Sequence, residues 1–263
     1  MLPFLKWAGG KRWLVTPEFL ANLPPHNRYI EPFLGGGASF FALGPDDALI
    51  CDVNPELITA YEVVRDSPED LYKVLFEFQE NHSSELYYKI RGEIPEDKVR
   101  KAARTLYLNR TCWNGLYRLN KKGEFNVPIG TKTQIVLPTD NFSMASEMIS
   151  RAELLCCDFE VAIDMAGDGD FIFVDPPYTV KHNMNGFVKY NESIFSWDDQ
   201  IRLKDALVRA SARGARYVLT NADHESVRHL YCDIGVHKSV ERRSVISGRV
   251  HGRASVTELV ISV

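Results

Sequence analysis

The fold of this chain follows from the run Asp170-Phe171-Ile172-Phe173-Val174-Asp175-Pro176-Pro177-Tyr178. Its first five residues form a short apolar run with β-branched and aromatic side chains, which predicts a buried strand. Pro176 ends that strand, because proline has no backbone N–H to donate to a β-ladder. A carboxylate, two rigid residues and an aromatic ring therefore follow the carboxyl end of a strand, where open α/β sheets bind ligands. The simpler alternative is a strand that ends in an ordinary proline turn.

The four residues Asp175, Pro176, Pro177 and Tyr178 carry the groups needed to hold an aromatic amine. The Asp175 carboxylate and the Pro176 carbonyl can both accept hydrogen bonds from an amine such as adenine N6. That nitrogen is a poor nucleophile because its lone pair is delocalised, and the two acceptors would direct lone-pair density at an electrophile. The prolines hold the carbonyl in place, and Tyr178 offers a flat face to a base taken out of a duplex.

Upstream, the sequence has the beginning of a nucleotide-binding βα unit. Tyr29-Ile30 leads through a glycine-rich turn, Gly35-Gly36-Gly37, into the small apolar helix Ala38–Leu43. The next predicted strand, Ala48–Cys51, ends in Asp52, where an acidic residue can accept hydrogen bonds from ribose hydroxyls. The alternative for Asp52 is the N-cap of the following helix, and one carboxylate could do both.

Downstream, strands and helices alternate. Leu154–Cys157, Arg216–Asn221 and Val256–Val263 predict strands, and Ser196 caps a helix that Gly214 ends. This order predicts an α/β fold with a mostly parallel sheet. Two polar stretches predict loops, and these are Thr179–Phe195 and Ser244–Ser255.

The segment between these two parts is too long for a loop, so we expect an inserted subdomain, mostly helical with a β-hairpin. Within Leu108–Gly130, aromatic, amide and guanidinium side chains alternate, and Lys122-Gly123 suggests the hairpin tip. Arginine can pair bidentately with guanine, which discriminates between bases by about 1–3 kcal/mol. Trp113 could stack or wedge where a base leaves the helix. The alternative is a structural hairpin with a basic tip.

The charge distribution favours a nucleic-acid partner although the net charge does not. The chain of 263 residues has a formal net charge of −4. From Lys98 to Lys122 there are eight Lys or Arg and no Asp or Glu, and Arg242–Arg253 adds four arginines. Basic patches on an acidic body are compatible with a DNA-binding face, while the alternative for each run is a solvated face.

Composition limits the remaining classes. No apolar run is long enough for a membrane span, and the basic N-terminus lacks the apolar core of a signal peptide. The five cysteines show no C-x-x-C spacing, so neither a zinc site nor a disulfide framework is expected. A reducing cytoplasm fits this cysteine usage.

Asp-Pro-Pro-Tyr at 175–178 resembles motif IV of the amino-methyltransferases that use S-adenosylmethionine. With Lys6-Trp7-Ala8-Gly9-Gly10-Lys11, the glycine-rich turn, Asp52 and the Leu108–Gly130 segment, the chain resembles Dam-type DNA adenine-N6 methyltransferases, class D12, alpha group. The resemblance covers nearly the whole length. It implies a Rossmann-like methyltransferase domain at 1–59 and 145–263 and a target-recognition subdomain at 60–144.

The same resemblance implies the site residues. Trp7 packs on the cofactor and Lys11 reaches its carboxylate, although Trp7 could be a core anchor and Lys11 an ordinary lysine at a helix start. Asp158 recognises the cofactor adenine, or else caps a helix. The implied cofactor-binding residues are Trp7, Ala8, Gly9, Lys11, Phe33, Gly35, Asp52, Asp158, Phe159 and Asp175.

On the DNA, the resemblance implies that Lys6 and Arg118 contact guanines and that Leu116 and Pro128 make apolar base contacts. Trp113 and Asn114 lie near the place vacated by the flipped adenine, although many relatives have tyrosine at the Trp113 position. The implied DNA-binding residues are Lys6, Trp113, Asn114, Leu116, Arg118, Asn120 and Pro128.

The expected reaction is direct transfer of a methyl group from S-adenosylmethionine to adenine N6 in duplex DNA, within GATC, by base flipping. S-adenosylhomocysteine is the product, and neither a metal nor a covalent enzyme intermediate is needed. We expect a monomer that acts on double-stranded DNA in the cytoplasm of a bacterial or phage-infected cell, at the nucleoid and away from membranes. The alternatives are methylation of RNA adenine or a protein glutamine, whose enzymes usually carry Asn-Pro-Pro-Tyr, and a catalytically inactive DNA-binding regulator of the same fold.

Overall fold

The computed structural model of the protein describes residues 1–7, 9–115, 117–120, 123–181, 195–243 and 255–263. The chain divides into two compact units. Unit 1 consists of Met1–Ala21 and Leu34–Cys156, and unit 2 of Asn22–Phe33 and Cys157–Val263. No helix in the described part of the chain has the length and apolar character needed to cross a membrane.

The elements alternate between helix and strand for much of the chain. The helices are α1 Pro17–Ala21, α2 Ala38–Leu43, α3 Pro55–Asp66, α4 Pro68–Glu80, α5 Ser84–Gly92, α6 Lys98–Thr111, α7 Phe142–Ile149, α8 Phe159–Asp164, α9 Trp197–Ala212 and α10 Glu225–Leu230. The strands are β1 Tyr29–Glu31, β2 Ala48–Asp52, β3 Ala152–Cys156, β4 Phe171–Val174, β5 Arg216–Ala222, β6 Val236–Arg243 and β7 Ser255–Ser262. The predicted mixed α/β architecture is confirmed.

In unit 1, strands β2 and β3 pair in parallel, from Ala48 opposite Ala152 to Asp52 opposite Cys156. Helix α3 follows β2 and packs against α6 and α7. Asn54 caps α3, because its side chain accepts hydrogen bonds from the backbone N–H groups of Glu56 and Leu57. The alternative that Asp52 caps this helix is therefore wrong.

Helix α6 forms much of the core of unit 1, and this changes the meaning of the basic run Lys98–Lys122. All ten residues from Ala102 to Thr111 are buried, including two arginines. Arg110 pairs with both carboxylate oxygens of Asp140 at 2.7 Å, and Arg104 donates to the carbonyl of Ile90 at 2.9 Å. For these two arginines, the prediction of a DNA-binding face and the alternative of a solvated face are both wrong. They satisfy buried acceptors within the fold.

In unit 2 the strands lie in the order β1, β4, β5, β7, β6. The first three are parallel, and β7 is antiparallel to both of its neighbours. All four residues of β4 are buried, as predicted from its apolar sequence. Helix α9 begins with the predicted capping box, in which Ser196 and Asp199 each accept from the other's backbone N–H.

Parts of the predicted hairpin and loops lie outside the described residues. Between α6 and α7 the structure has two isolated antiparallel bridges, Cys112–Ile129 and Leu119–Phe125, and no strand among the residues it describes there. Asn120 N–H donates to Glu124 O at 2.8 Å across the turn. Lys121, Lys122 and residues 182–194 and 244–254 of the predicted loops are not described.

Candidate active site

Asp175 emerges from the carboxyl end of the buried strand β4, as predicted. The parallel register pairs Val174 with Leu219, so the next residues on the two strands, Asp175 and Thr220, lie side by side. Thr220, which is fully buried on β5, donates from Oγ1 to Asp175 Oδ1 at 2.7 Å. A hydroxyl of β5 therefore holds the carboxylate at the end of β4.

Tyr178 is anchored by its hydroxyl. Its OH donates to Glu258 Oε2 at 2.7 Å, and Glu258 on β7 is only 2% exposed. Burial, the negative charges of Asp175 and Glu258, and the hydrogen bond to Glu258 raise the pKa of the Tyr178 phenol well above its usual value. The phenol therefore stays protonated at neutral pH and remains a hydrogen-bond donor.

Thr220 and Glu258 were not among the site residues predicted from the sequence. One signal was available for Glu258, because it is the only charged residue in the predicted strand Val256–Val263. Buried charges in apolar strands are costly and need a partner, so such a residue warrants attention. Thr220 gives no comparable signal, since threonine is common in strands.

Three aromatic rings of unit 2 cluster beside helix α8. Phe33 and Phe159 stack with centroids 5.2 Å apart, and Phe195 meets the Phe33 ring edge-on at 5.6 Å. The Arg202 guanidinium lies 4.9 Å above the Phe159 ring, which leaves Phe159 buried. Asp158 accepts from Arg202 at 2.8 Å and from the Glu160 N–H at 2.9 Å, so it does cap α8.

In unit 1, Trp7 lies directly on the glycine turn. Gly35 has φ +48° and Gly37 has φ +66°, values that L side chains rarely adopt. A Cβ on Gly35 would come within 2.7 Å of the Trp7 indole. The Tyr61 hydroxyl donates to the carbonyl of Gly35 at 3.1 Å and so helps to hold the turn.

Asp52 is held at the end of β2 beside this turn. Its two oxygens accept from the N–H groups of Gly35, at 3.0 Å, and Asn54, at 2.9 Å. Burial raises the pKa of the carboxyl, and the N–H groups of Gly35, Asn54 and Val53 oppose that rise. A carboxylate has about four lone-pair sites, so it can accept from a ligand hydroxyl in addition to these backbone N–H groups.

The two lysines of the N-terminal segment differ in their surroundings. Lys11 is 3% exposed and donates from Nζ to the carbonyl of Gly9 at 2.7 Å. Lys6 is exposed, and its Nζ donates to the carbonyl of Asn114 at 2.7 Å. The buried amide of Asn109 bonds both the N–H and the carbonyl of Lys6, at 3.0 and 2.7 Å. The fold thus brings Lys6 and Asn114 together, as two of the predicted DNA-binding residues. Ala8 lies outside the described residues.

The predicted recognition residues are presented at the surface of unit 1. Trp113 is 53% exposed, and its backbone N–H donates to Pro128 O at 2.9 Å. Asn114 has φ +58°, in the left-handed region that turns the chain sharply. Arg118 is exposed, whereas Asn120 bonds Glu124 through its side chain at 2.9 Å. Leu116 lies outside the described residues.

Tyr117 is a further residue of this segment that the sequence did not single out. Its ring stacks on Trp7 with centroids 5.3 Å apart, and its hydroxyl donates to the Glu56 carboxylate. The Arg104 guanidinium donates to the same carboxylate at 3.4 Å.

In the described part of the chain, no group of three or more His, Cys, Asp or Glu side chains is arranged to hold a metal ion.

Comparison with known proteins assigns the family. Residues 7–245 match the model of the D12 class N6 adenine-specific DNA methyltransferases. The chain is 36% identical to the type II methyltransferase M1.LlaDCHI of Lactococcus lactis subsp. cremoris, over 99% of this chain and 94% of that protein. It is 33% identical to the DNA adenine methylase of Vibrio cholerae, over 98% and 94%. It is also 38% identical to the DNA N-6-adenine-methyltransferase of Escherichia phage P1, over 91% of this chain and 32% of that protein. The chain belongs to the D12 class of N6 adenine-specific DNA methyltransferases and is an adenine-specific DNA methyltransferase.

Proposed function

We propose that this enzyme methylates adenine N6 within GATC in duplex DNA, and that the target adenine leaves the helix to react. The observation that carries the proposal is the Asp175–Tyr178 segment at the end of β4. Asp175 is held by Thr220 at 2.7 Å, and Tyr178 is held by Glu258 at 2.7 Å. An amine acceptor and an aromatic platform are thereby held in one geometry before any substrate binds.

In this mechanism the Asp175 carboxylate and the Pro176 carbonyl accept hydrogen bonds from the two N6 protons. Both bonds hold the nitrogen so that its lone pair points at the incoming methyl group. The bond from the methyl carbon to sulfur would break as its bond to N6 forms, and the Asp175 carboxylate stabilises the positive charge that develops on N6 until one N6 proton leaves to solvent. The flipped adenine stacks on Tyr178, and positioning of this kind supplies much of the rate of a direct displacement.

S-adenosylmethionine, which methyltransferases use in general, supplies the methyl group on a positively charged sulfur. Two features of unit 1 support this, because the glycine turn leaves room for the Trp7 indole to lie on it and Asp52 keeps a fixed carboxylate beside the turn. We propose that Asp52 accepts the ribose hydroxyls, that Trp7, Ala8, Gly9 and Gly35 line the cofactor, and that Lys11 meets its carboxylate.

In unit 2, we propose that Asp158 and Phe159 contact the cofactor adenine, with Asp158 or a backbone group recognising its amino edge, and that Phe33 is a further cofactor-binding residue. The Phe159 ring is held in place by Phe33, which stacks on it, and by the Arg202 guanidinium above it. Asp175 would lie at the reacting end of the cofactor. These assignments extend the resemblance residue by residue.

For DNA recognition we propose that Arg118 and Lys6 read guanines and that Trp113 and Asn114 occupy the place of the flipped adenine. Leu116, Asn120 and Pro128 would complete the contacts, within a recognition subdomain at 60–144. The exposure of Trp113 and Arg118 supports this role, because both side chains are available to a duplex. The GATC target follows the resemblance of Leu108–Gly130 to the recognition hairpin of Dam enzymes.

The test measures transfer of labelled methyl from S-adenosylmethionine to duplexes with GATC intact or changed one base at a time. Asp175→Ala should lower kcat by about 100-fold or more while the fold stays intact, and Asp70→Asn on the exposed face of α4 is the control. Arg118→Ala should relax discrimination at one guanine rather than weaken all duplexes equally. Transfer to RNA or to a glutamine peptide instead, or equal transfer to every changed duplex, would overturn the substrate or the target.

A further inference from the structure

Glu258 is a buried carboxylate in a position where a carboxylate is costly. It lies in the middle of β7, opposite Ala222 of β5 and Val240 of β6, and is 2% exposed. Removing an ionised carboxylate from water is unfavourable unless specific partners compensate for the lost solvation. A hydrophobic residue would be more favourable at this position of the sheet, which suggests that the acid has a function.

The partner of Glu258 that bears on the reaction is Tyr178, whose hydroxyl donates to Oε2 at 2.7 Å. Tyr178 itself is half-buried, so its ring keeps some exposure while its hydroxyl reaches the interior. Burial and the charges of Asp175 and Glu258 raise the pKa of the phenol. The proton therefore stays on Tyr178, and the bond runs from phenol to carboxylate.

The sheet register explains why Glu258 can do this. In antiparallel pairing, directly opposed residues point to the same face of the sheet, and residues two apart on one strand also share a face. Glu258 lies opposite Ala222, which is two residues beyond Thr220. Thr220 and Glu258 therefore lie on one face, where Thr220 holds Asp175 and Glu258 holds Tyr178.

We infer that Glu258 is a positioning residue for adenine methylation, which fixes the Tyr178 ring relative to the Asp175 carboxylate through its hydrogen bond to the Tyr178 hydroxyl. This inference rests on the proposed function, because it assumes that adenine stacks on Tyr178. Glu258 does not itself touch the base or the methyl group. Loss of its hydrogen bond would leave Tyr178 free to tilt, and the adenine would then be presented to Asp175 in a wider range of orientations.

The experiment compares Glu258→Leu, Glu258→Gln and Tyr178→Phe by steady-state methyl transfer to a GATC duplex, with cofactor affinity measured separately by calorimetry. Glu258→Leu should lower kcat about tenfold, the rate equivalent of one hydrogen bond to a charged group, with cofactor affinity nearly unchanged. Glu258→Gln should recover most of that rate, because the Gln side-chain carbonyl still accepts from the Tyr178 hydroxyl. Glu241→Leu, at an exposed position of β6, is the matched control and should leave kcat unchanged.

A double-mutant cycle separates positioning from a general structural role. If Glu258 acts through the Tyr178 hydroxyl, Glu258→Leu should lower kcat little further in a Tyr178→Phe background. Fully additive losses would overturn the inference, and so would a Glu258→Leu enzyme with the wild-type kcat. Should Glu258→Leu fail to fold, Tyr178→Phe alone decides, because it removes the same bond, and a wild-type kcat in that folded variant would overturn the inference. A wild-type enzyme that methylates no duplex would instead refute the proposed function, so the two failures are distinct.

Discussion

In unit 1 the Trp7 indole stacks on the Tyr117 ring, with centroids 5.3 Å apart and planes inclined by 23°. Trp7 also covers the glycine turn at Gly35, and Tyr117 lies within the recognition segment next to Arg118. A second link joins the same two segments, because Lys6 Nζ donates to Asn114 O at 2.7 Å. The segment that we assign to the cofactor and the segment that we assign to DNA are thus packed together inside unit 1.

Replacement of Tyr117 by leucine should therefore weaken cofactor binding although Tyr117 is not among the cofactor residues. Loss of an aromatic pair costs about 0.5–1.5 kcal/mol, which corresponds to a rise in the Kd for S-adenosylmethionine of about 2- to 12-fold. Calorimetric titration of the cofactor measures this directly. Tyr72→Leu on the exposed face of α4 should leave the Kd unchanged, and an unaltered Kd for Tyr117→Leu would show that Trp7 is held without the stack.

Gly35→Ala should damage both stability and cofactor binding. An alanine at φ +48° pays the left-handed penalty of about 1–2 kcal/mol, and its Cβ would meet the Trp7 indole at 2.7 Å. We expect a lower urea midpoint at unchanged slope, together with a higher Kd for S-adenosylmethionine. Gly92→Ala is the control, because a Cβ there meets no atom within 4 Å. If Gly35→Ala binds the cofactor with the Kd of the wild type, cofactor binding does not require glycine at this position.

Thr220→Val should slow methyl transfer without unfolding the protein. Valine has nearly the shape of threonine but cannot donate to Asp175, so the carboxylate loses the bond that holds it at 2.7 Å. The expected loss in kcat is about tenfold, the rate equivalent of one hydrogen bond to a charged acceptor. Thr105→Val removes an equally buried hydroxyl in α6, where Thr105 bonds only the Lys101 carbonyl among the hydrogen bonds described, and should leave kcat intact. Equal kinetics for both variants would remove Thr220 from the site.

Arg202→Met should lower the stability of the protein in a way that depends on pH. Arg209 and then Arg202 hold the pKa of Glu160 below its usual value near 4.5 through hydrogen bonds and charge. A carboxyl whose pKa is lowered by folding contributes stability above pH about 4.5, and that contribution disappears as the pH falls through the lowered value. Since these side chains are partly exposed, the deficit of the variant at pH 7 should be about 1 kcal/mol or less per pair and should shrink in high salt.

Urea unfolding of wild type and Arg202→Met, at pH 7 and again near pH 3, measures the effect. The two proteins should differ more at pH 7 than near pH 3, because protonated carboxyls no longer need the guanidinium. Arg216→Met, at an exposed position of β5, serves as the comparison. A deficit of the same size at both pH values would mean that Arg202 stabilises through its packing over Phe159 instead.

The sequence alone predicted the features that depend on a few neighbouring residues. Strand β4, the turn before α2 and the capping box of Ser196 and Asp199 were all predicted, because periodicity, glycine and caps act over one or two turns of chain. The family was also recognisable, since Asp175–Tyr178 is contiguous. The sequence misled at the start of α3, where Asp52 was considered as the cap and Asn54 is the residue that caps the helix.

Tertiary structure decided which distant residues support those motifs. Thr220 is 45 residues from Asp175, and Glu258 is 80 residues from Tyr178, so only the register of β4, β5 and β7 brings each pair together. It also decided that Arg104 and Arg110 are buried, although they belong to a run that reads as a basic surface. The physical reason is the same in each case. A hydrogen bond or a buried charge depends on what the folded chain places opposite it, and that neighbour is set by strand register and helix packing rather than by nearby sequence.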